Sequence, residues 1–408
     1  MRVLLHCLNF SPEVTGAGKY SGEMAHWLAQ RGHSVRVVTA PPYYPQWRIA
    51  EGFSRWRHAR TRAPNKPDIW RAPLWVPARP SGAKRLLHLF SFALSSLPVM
   101  LWQAAWRPDI VVVVAPTLVT APAAWITARL SGAKAWLHLQ DFELDAAFAL
   151  GILEKGHGQR LARRAERALL RRFDRVSTIS DNMLARLASK GVDPQRAVLF
   201  PNWVDTDTIH PLSTPSPFRH DLGISPDQVV VLYSGNMGRK QGLEILADAA
   251  RQLRDDPTIR FVLAGAGEGR AQLEAATCGL SNVHWLPLQP TERLNDLLNL
   301  ADIHVLPQRA DAADLVMPSK LTGMLASGRP VVATAAPDTQ VARVVAGCGL
   351  VSPPEDPAAL GAALRELANQ PETRRTLGEH ARQYAQDHLG RDAILAALEA
   401  RLKQLIAK

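Results

Sequence analysis

The 408-residue sequence predicts an α/β chain of two doubly wound domains, each a parallel sheet with helices on both faces. Three observations carry that expectation. Short branched-apolar runs alternate with helical stretches along the whole length, and the alternation starts afresh at Val229. Between the two sets lies NWVDTDTIHPLSTPSPFRHDLGISPD, residues 202–227, whose Pro, Ser, Thr and Asp content reads as a domain boundary. The length is sufficient for two full cores.

The first set of predicted strands is Val3 to Leu8, Ser34 to Thr39, Ile110 to Val114, Lys134 to Leu139, Val176 to Ile179 and Ala197 to Phe200. The second is Val229 to Tyr233, Ile259 to Leu263, Val283 to Leu286, Ile303 to Leu306 and Pro330 to Thr334. Continuous apolar runs of this kind suit strands buried on both faces. Three glycine-bearing turns follow strands: Gly16 and Gly18 in SPEVTGAGKYSGEM, Gly235 in YSGNMGRKQG, and Gly265 in LAGAGEGRAQLE. Ligands of open parallel sheets gather at the carboxyl ends of strands, beside such turns, although steric need alone often places glycine there. None of the three carries the phosphate-loop lysine pattern or a clean dinucleotide fingerprint. The segment PSKLTGMLASGRPVV, residues 318–332, reads as a helix from Ser319 to Ala326 closed by Gly328, with Ser319 as its capping hydroxyl. Lys320 then sits at the positive end of that helix, which is unfavourable unless an anion is bound.

Cys7, Cys278 and Cys348 lie far apart without paired spacing, so neither a disulfide framework nor a zinc site is expected. The start, MRVLLHCLNF, reads as a buried strand rather than a signal peptide, and the cytoplasm is the natural compartment. The formal net charge is +11, and residues 1–200 hold 28 Lys and Arg against 13 Asp and Glu, leaving 20 against 24 for the rest. Between Arg48 and Arg85 stand ten basic residues and two acidic ones, Glu51 and Asp68, interleaved with Trp47, Trp56, Trp70 and Trp75. That mixture suits an anionic bilayer surface, and phosphate attraction would equally serve nucleic acid. Residues 86–106, LLHLFSFALSSLPVMLWQAAW, follow without a formal charge. Their length admits a membrane span, but Pro98 and the spaced serines favour a helix lying in the membrane interface, with a buried core helix as the remaining reading.

Taken in order, the Gly16/Gly18 turn, FPNWVD at 200–205, SGNMGRKQG at 234–242, LAGAGEGRAQLE at 263–274 and PSKLTGMLASGRPVV at 318–332 resemble the group 1, or family 4, glycosyltransferases of the GT-B fold. The likeness covers nearly the whole chain, and SPEVTGAGKYSGEMAHWL and LHLQDFELDAA look most like the colanic acid and exopolysaccharide branch. The resemblance implies two Rossmann-like domains facing across a cleft. The first, 1–203, would bind acceptor; the second, 204–385, would bind a nucleotide sugar; a C-terminal helix, 386–408, would return to the first. It further implies a retaining hexosyl transfer from a GDP- or UDP-sugar to a lipid-linked saccharide, with no tightly bound cofactor or metal. The enzyme would be peripheral on the inner face of the cytoplasmic membrane, with no nucleic acid partner.

The chain departs from the family pattern at the donor site. Asn236 stands where the family has Arg and Gln241 where it has Lys, so the charge for the diphosphate is expected from Arg239, Lys240 and Lys320. Leu315 and Gly323 replace the paired glutamates, which leaves Asp311 and Asp314 as candidates for the sugar or ribose hydroxyls. Gly235, Gly265, Leu288, Ser319 and Leu321 complete the expected donor set. On the acceptor side the strand ending at Leu139 leads into Asp141, with Glu143 and His138 next to it; Asp141 is the first choice and His138 reads equally well as a core histidine. Asp205 to Asp207 spell a DxD metal motif of another fold and are set aside. Two rival functions use the same features: a sugar-nucleotide epimerase of the same fold, and a basic lipid- or RNA-binding protein with a vestigial nucleotide site.

Overall fold

A computed structural model describes residues 1–13, 16–79, 82–116, 118–149, 157–238, 241–310 and 317–407. Its first sheet is built from β1 (Arg2–Cys7), β2 (Ser34–Thr39), β3 (Ala59–Thr61), β4 (Asp68–Arg71), β5 (Ile110–Ala115), β6 (Lys134–Leu139), β7 (Arg175–Thr178) and β8 (Ala197–Leu199). The order is β3-β4-β2-β1-β5-β6-β7-β8, parallel apart from the β3–β4 pair. Val3 of β1 pairs with both Val35 and Ile110, so this apolar strand lies in the middle of the sheet. The second sheet takes β9 (Val229–Asn236), β10 (Ile259–Ala266), β11 (Val283–Leu286), β12 (Ile303–Leu306), β13 (Val331–Thr334) and β14 (Gly349–Ser352) in the order β11-β10-β9-β12-β13-β14, all parallel. Strands without alternation are buried on both faces, as every residue of β5, β12 and β13 is.

The chain divides into two compact units, Met1–Pro201 with Leu395–Lys408, and Asn202–Ile394. The second unit runs past residue 385 because Ala381 and Ala385, on the helix Pro371–His388, are fully buried in one core with Met324 and Leu325. The helix Arg391–Ile406 buries Leu395, Leu398, Leu402 and Leu405. Its Glu399 accepts from Arg31 Nε at 2.8 Å, His33 Nε2 at 2.7 Å and Lys403 Nζ at 2.7 Å. Burial alone would raise the Glu399 pKa, but hydrogen bonds from Lys403, His33 and Arg31 hold it down at about 2.

Three strands escaped the sequence reading. β3 and β4 lie inside the basic stretch, where charge hides the strand pattern: Arg60 and Arg62 both donate to Asp68, and Arg60 lies over the Trp70 ring. β14 is four residues long and opens on Gly349, a residue that weakens any strand signal. Gly349 is required there, because a Cβ would sit 1.8 Å from the Val331 carbonyl oxygen.

Pro98 does not interrupt the apolar segment, which forms one helix, Gly82–Gln103, long and apolar enough to cross a membrane by length and composition. Its polar residues are turned into the domain. The Ser91 hydroxyl accepts from Trp75 N, Ser95 donates to the Pro73 carbonyl, Ser96 bonds His6, and Gln103 accepts from Arg36. Phe92 and Met100 are fully buried on the same side, so the segment does not offer all of its apolar side chains to a membrane. The opposite side exposes Leu87, Phe90, Leu94, Leu101 and Trp102. Beside this stripe His58 bonds the Ser95 carbonyl and Trp70 packs edge-on against Trp102, so the basic β3–β4 ribbon flanks it.

Candidate functional site

Each sheet reverses its strand order once, between β1 and β5 in the first and between β9 and β12 in the second. The carboxyl ends of strands at such reversals are where doubly wound sheets bind ligands. In the first unit the end of β1 carries a residue the sequence reading missed. Glu13 is buried; its Oε1 accepts from the backbone N–H groups of Tyr43 at 2.8 Å and Tyr44 at 3.0 Å, and its Oε2 from Asn9 Nδ2 at 2.8 Å. Burial raises its pKa against those hydrogen bonds and the nearby Arg71 guanidinium. Arg71, also buried, donates to the carbonyls of Ala40 and Ser11. The glycine turn is shaped around this carboxylate: a Cβ on Gly18 would meet Glu13 Cβ at 2.8 Å, whereas Gly16 needs glycine for its φ of +56° and has open space around it.

The expected acceptor residues separate in role. His138 is buried, bonded to Ser177 Oγ at 2.9 Å and to Gln140 Nε2 at 2.9 Å, and burial lowers its pKa to about 3. It is a buried histidine held by two hydrogen bonds, and its burial favours the neutral ring. Glu143 opens the helix Glu143–Ala149 and accepts from the Leu118 backbone N–H at 2.7 Å, so it fixes the loop after β5. Asp141 is half-buried just beyond β6. Its charge and that of Glu13 raise the Tyr44 pKa, behind the larger effect of burial. Asp141, Glu13 and Tyr44 therefore share one neighbourhood at the carboxyl edge of the first sheet.

In the second unit β9 and β10 run further than the apolar pattern, through Asn236 and Ala266, with Gly235 opposite Gly265. Only glycine fits at position 265: its φ is +146°, and a Cβ would lie 1.9 Å from the Gly235 carbonyl oxygen. Lys320 reaches this turn from across the strand reversal. Its Nζ donates to the Tyr233 hydroxyl at 2.8 Å and lies 4.1 Å from the Tyr233 ring centroid. The position of a Gly235 Cβ would be 3.5 Å from the same Nζ. The Tyr233 hydroxyl in turn donates to the Asn236 carbonyl at 2.6 Å. Among the described residues no carboxylate lies within ion-pair distance of Lys320, and burial lowers its pKa to about 7. In the sequence Tyr233 marks only the end of an apolar strand; a phenol at that position, just before a glycine turn, is the available signal.

The other donor candidates fall as follows. Asn236 is exposed at the turn, and Gln241 follows it with a buried side-chain oxygen, Oε1, that has no hydrogen-bond partner among the described residues. Leu288 is exposed on the loop after β11. Ser319 does not cap: its backbone is helical at φ −61° and ψ −23°, its hydroxyl bonds no helix N–H, and the helix runs Lys320–Ala326. Leu321 is a core residue, and its N–H is taken by the Pro318 carbonyl. Arg239, Lys240, Asp311 and Asp314 lie outside the described residues. Asp205, in the DxD-like triplet, is occupied by Arg391 at 2.6 Å and by Thr208.

Two doubly wound parallel sheets in one chain, the second with a cation at its glycine turn, define a class of fold, and comparison with known proteins places the chain within it. It belongs to the group 1 glycosyltransferases of the GT-B fold: residues 15–203 match the glycosyl transferase 4-like domain and residues 228–370 the glycosyl transferases group 1 domain. The chain is 42% identical over 405 residues, 97% of its length and 98% of the relative's, to the putative colanic acid biosynthesis glycosyl transferase WcaI of Escherichia coli (strain K12). Among solved structures, sucrose-phosphate synthase from Thermosynechococcus elongatus matches all of the chain and 99% of its own at a TM-score of 0.77 and 18% identity. Anabaena Alr3699/HepE in complex with UDP and glucose matches 99% of the chain and all of its own at 0.70 and 16%.

Proposed function

We propose that this glycosyltransferase moves a hexose with retention of configuration from a UDP- or GDP-sugar to a lipid-linked saccharide in exopolysaccharide assembly, as a peripheral protein at the cytoplasmic face of the membrane. The polysaccharide setting is supported by the name of the 42% identical relative, and the nucleotide donor by the UDP bound to the HepE structure. The observation that carries the donor reading is Lys320: an ammonium held at the Gly235 turn, with no carboxylate partner among the described residues. An unneutralised half-buried cation at a strand reversal is a site for an anion, and the donor's diphosphate is that anion.

Transfer breaks the bond from the anomeric carbon to the diphosphate oxygen and joins that carbon to an acceptor hydroxyl. Charge grows on the departing diphosphate, where the Lys320 ammonium stabilises it; the ammonium is already partly withdrawn from bulk water and needs little reorganisation. Asp141 orients the acceptor hydroxyl or takes its proton. Glu13 and Glu143 are occupied by backbone N–H groups and shape the acceptor side. The exposed stripe of the Gly82–Gln103 helix and the basic ribbon beside it supply shallow insertion and anionic attraction, the two signals that lasting membrane attachment needs. Neither an epimerase nor an RNA-binding protein has a use for that stripe.

Release of UDP or GDP, measured with and without lipid-linked acceptor, tests the proposal. Release that requires acceptor is expected. Free epimerised sugar, or nucleotide binding without turnover, would overturn it.

A further inference from the structure

The hydrogen bonds around Lys320 contain a second residue whose place a purely structural role does not explain. Tyr233 is fully buried among the apolar side chains of the second core, yet its hydroxyl is committed at both ends, donating to the Asn236 carbonyl at 2.6 Å and accepting from Lys320 Nζ at 2.8 Å. Phenylalanine would fill the same core volume without bringing a polar atom to the turn. We propose that Tyr233 is a positioning residue for donor binding, its hydroxyl holding the Lys320 ammonium at the Gly235 turn so that the lysine meets the donor's diphosphate already in place. This rests on the reading of Lys320 as the diphosphate contact.

Three features support it. A lysine carries a flexible four-carbon stem, and freezing it on binding weakens affinity unless the free protein has already frozen it. Here the ring face and the hydroxyl of one rigid residue fix the ammonium by two different interactions, a cation–π contact at 4.1 Å and a hydrogen bond. Second, the phenol remains a donor: burial pushes its pKa above the usual tyrosine value, so it holds the Asn236 carbonyl while Lys320 changes partners. Third, that carbonyl belongs to the turn itself. The next residue, Met237, donates its N–H to the Ala266 carbonyl at 2.8 Å, so the peptide between residues 236 and 237 is fixed on both sides. The anion would thus meet a cation and a turn oriented by the same hydroxyl.

The test is a double-mutant cycle on the full chain, with UDP and GDP as calorimetric probes and the melting temperature recorded for each protein. The variants are Tyr233→Phe, Lys320→Met and the pair. With Lys320 present, Tyr233→Phe is expected to weaken nucleotide binding about 5- to 20-fold, and with Lys320→Met it should weaken it by less than about 2-fold. The melting temperature should fall only slightly in either background. Equal affinity losses in the two backgrounds, or unchanged affinity in Tyr233→Phe, would overturn the positioning role while leaving Lys320 in place. If Lys320→Met alone leaves both nucleotides binding normally, the Lys320 reading itself falls, and this inference falls with it.

Discussion

Exchanging Phe90 and Leu94 for serine removes the centre of the exposed apolar stripe and leaves the core intact, because these side chains are 49% and 69% exposed. Burying such a side chain completely contributes about 1.5–3 kcal/mol. Only the exposed share remains for a membrane to cover, which gives about 1–2 kcal/mol for each residue and about 2–4 kcal/mol for the pair. At 1.4 kcal/mol for each tenfold step, the partition coefficient should fall roughly 30- to 700-fold. The assay is co-sedimentation with vesicles containing anionic lipid, at low and at high salt. Wild type should sediment at low salt and be partly released by high salt; F90S/L94S should stay in the supernatant, with its melting curve unchanged and a soluble acceptor analogue still used. Phe92 is the internal control. It is 0% exposed on the same helix, so Phe92→Ser should lower stability by about 3 kcal/mol or more instead of acting on the membrane. A wild-type protein indifferent to anionic vesicles, or an F90S/L94S variant that sediments like it, would refute the membrane-facing role.

Other expectations concern the two strand reversals. Burial lowers the Lys320 pKa to about 7, while the unfolded chain keeps the ordinary lysine value; between these the unfolded state binds more protons, so this group makes stability rise with pH. Lys320→Met should flatten that rise, seen as a wild-type-minus-variant difference in denaturant midpoint that shifts between about pH 6 and about pH 9; a constant difference counts against the lowered pKa. Gly265→Ala puts a methyl group 1.9 Å from the Gly235 carbonyl oxygen, so β9 and β10 must part at the turn. The loss should be about 2–4 kcal/mol in equilibrium unfolding, and an unchanged midpoint would show that the turn accommodates the clash. Asp141→Asn should leave nucleotide affinity intact and lower transfer about 100-fold or more; an equal loss of nucleotide affinity would remove Asp141 from the acceptor side.

How far the sequence could be read depended on whether a residue's role was local. Buried parallel strands announce themselves, and Ser34–Thr39, Lys134–Leu139, Val283–Leu286 and Ile303–Leu306 match residue for residue. β3 and β4 do not, since Arg60, Arg62 and Asp68 stabilise one another across the pair while each reads as surface charge. The helix Gly82–Gln103 was legible as apolar, but its inward side depends on Trp75, Pro73, His6 and Arg36, which come from distant segments. For that reason Phe92 and Phe90 could not be told apart by composition. At the Gly235 turn Lys320 stood out because a cation at a helix start is locally unfavourable. Tyr233 and Glu13 did not, because a tyrosine ending a strand and a glutamate after a proline are locally unremarkable; their hydrogen bonds are made only in the fold. Ser319 shows the opposite failure, where a sound capping pattern gave way because the backbone was already helical at that position.

The cluster around Glu399 sets an order of events during synthesis. Arg31 and the carboxylate it donates to are 368 positions apart, so at about 5–20 residues per second a ribosome delivers the second roughly 20–70 s after the first. Throughout that interval Arg31 and His33 lack their acceptor, and Leu395, Leu398 and Leu402, which belong to the first unit, are not yet made. The second unit, Asn202–Ile394, lies wholly inside that gap in the chain and can close before the first is complete. The nascent protein can therefore finish its middle before its beginning, and loss of the segment from Leu395 onward would damage the unit translated first.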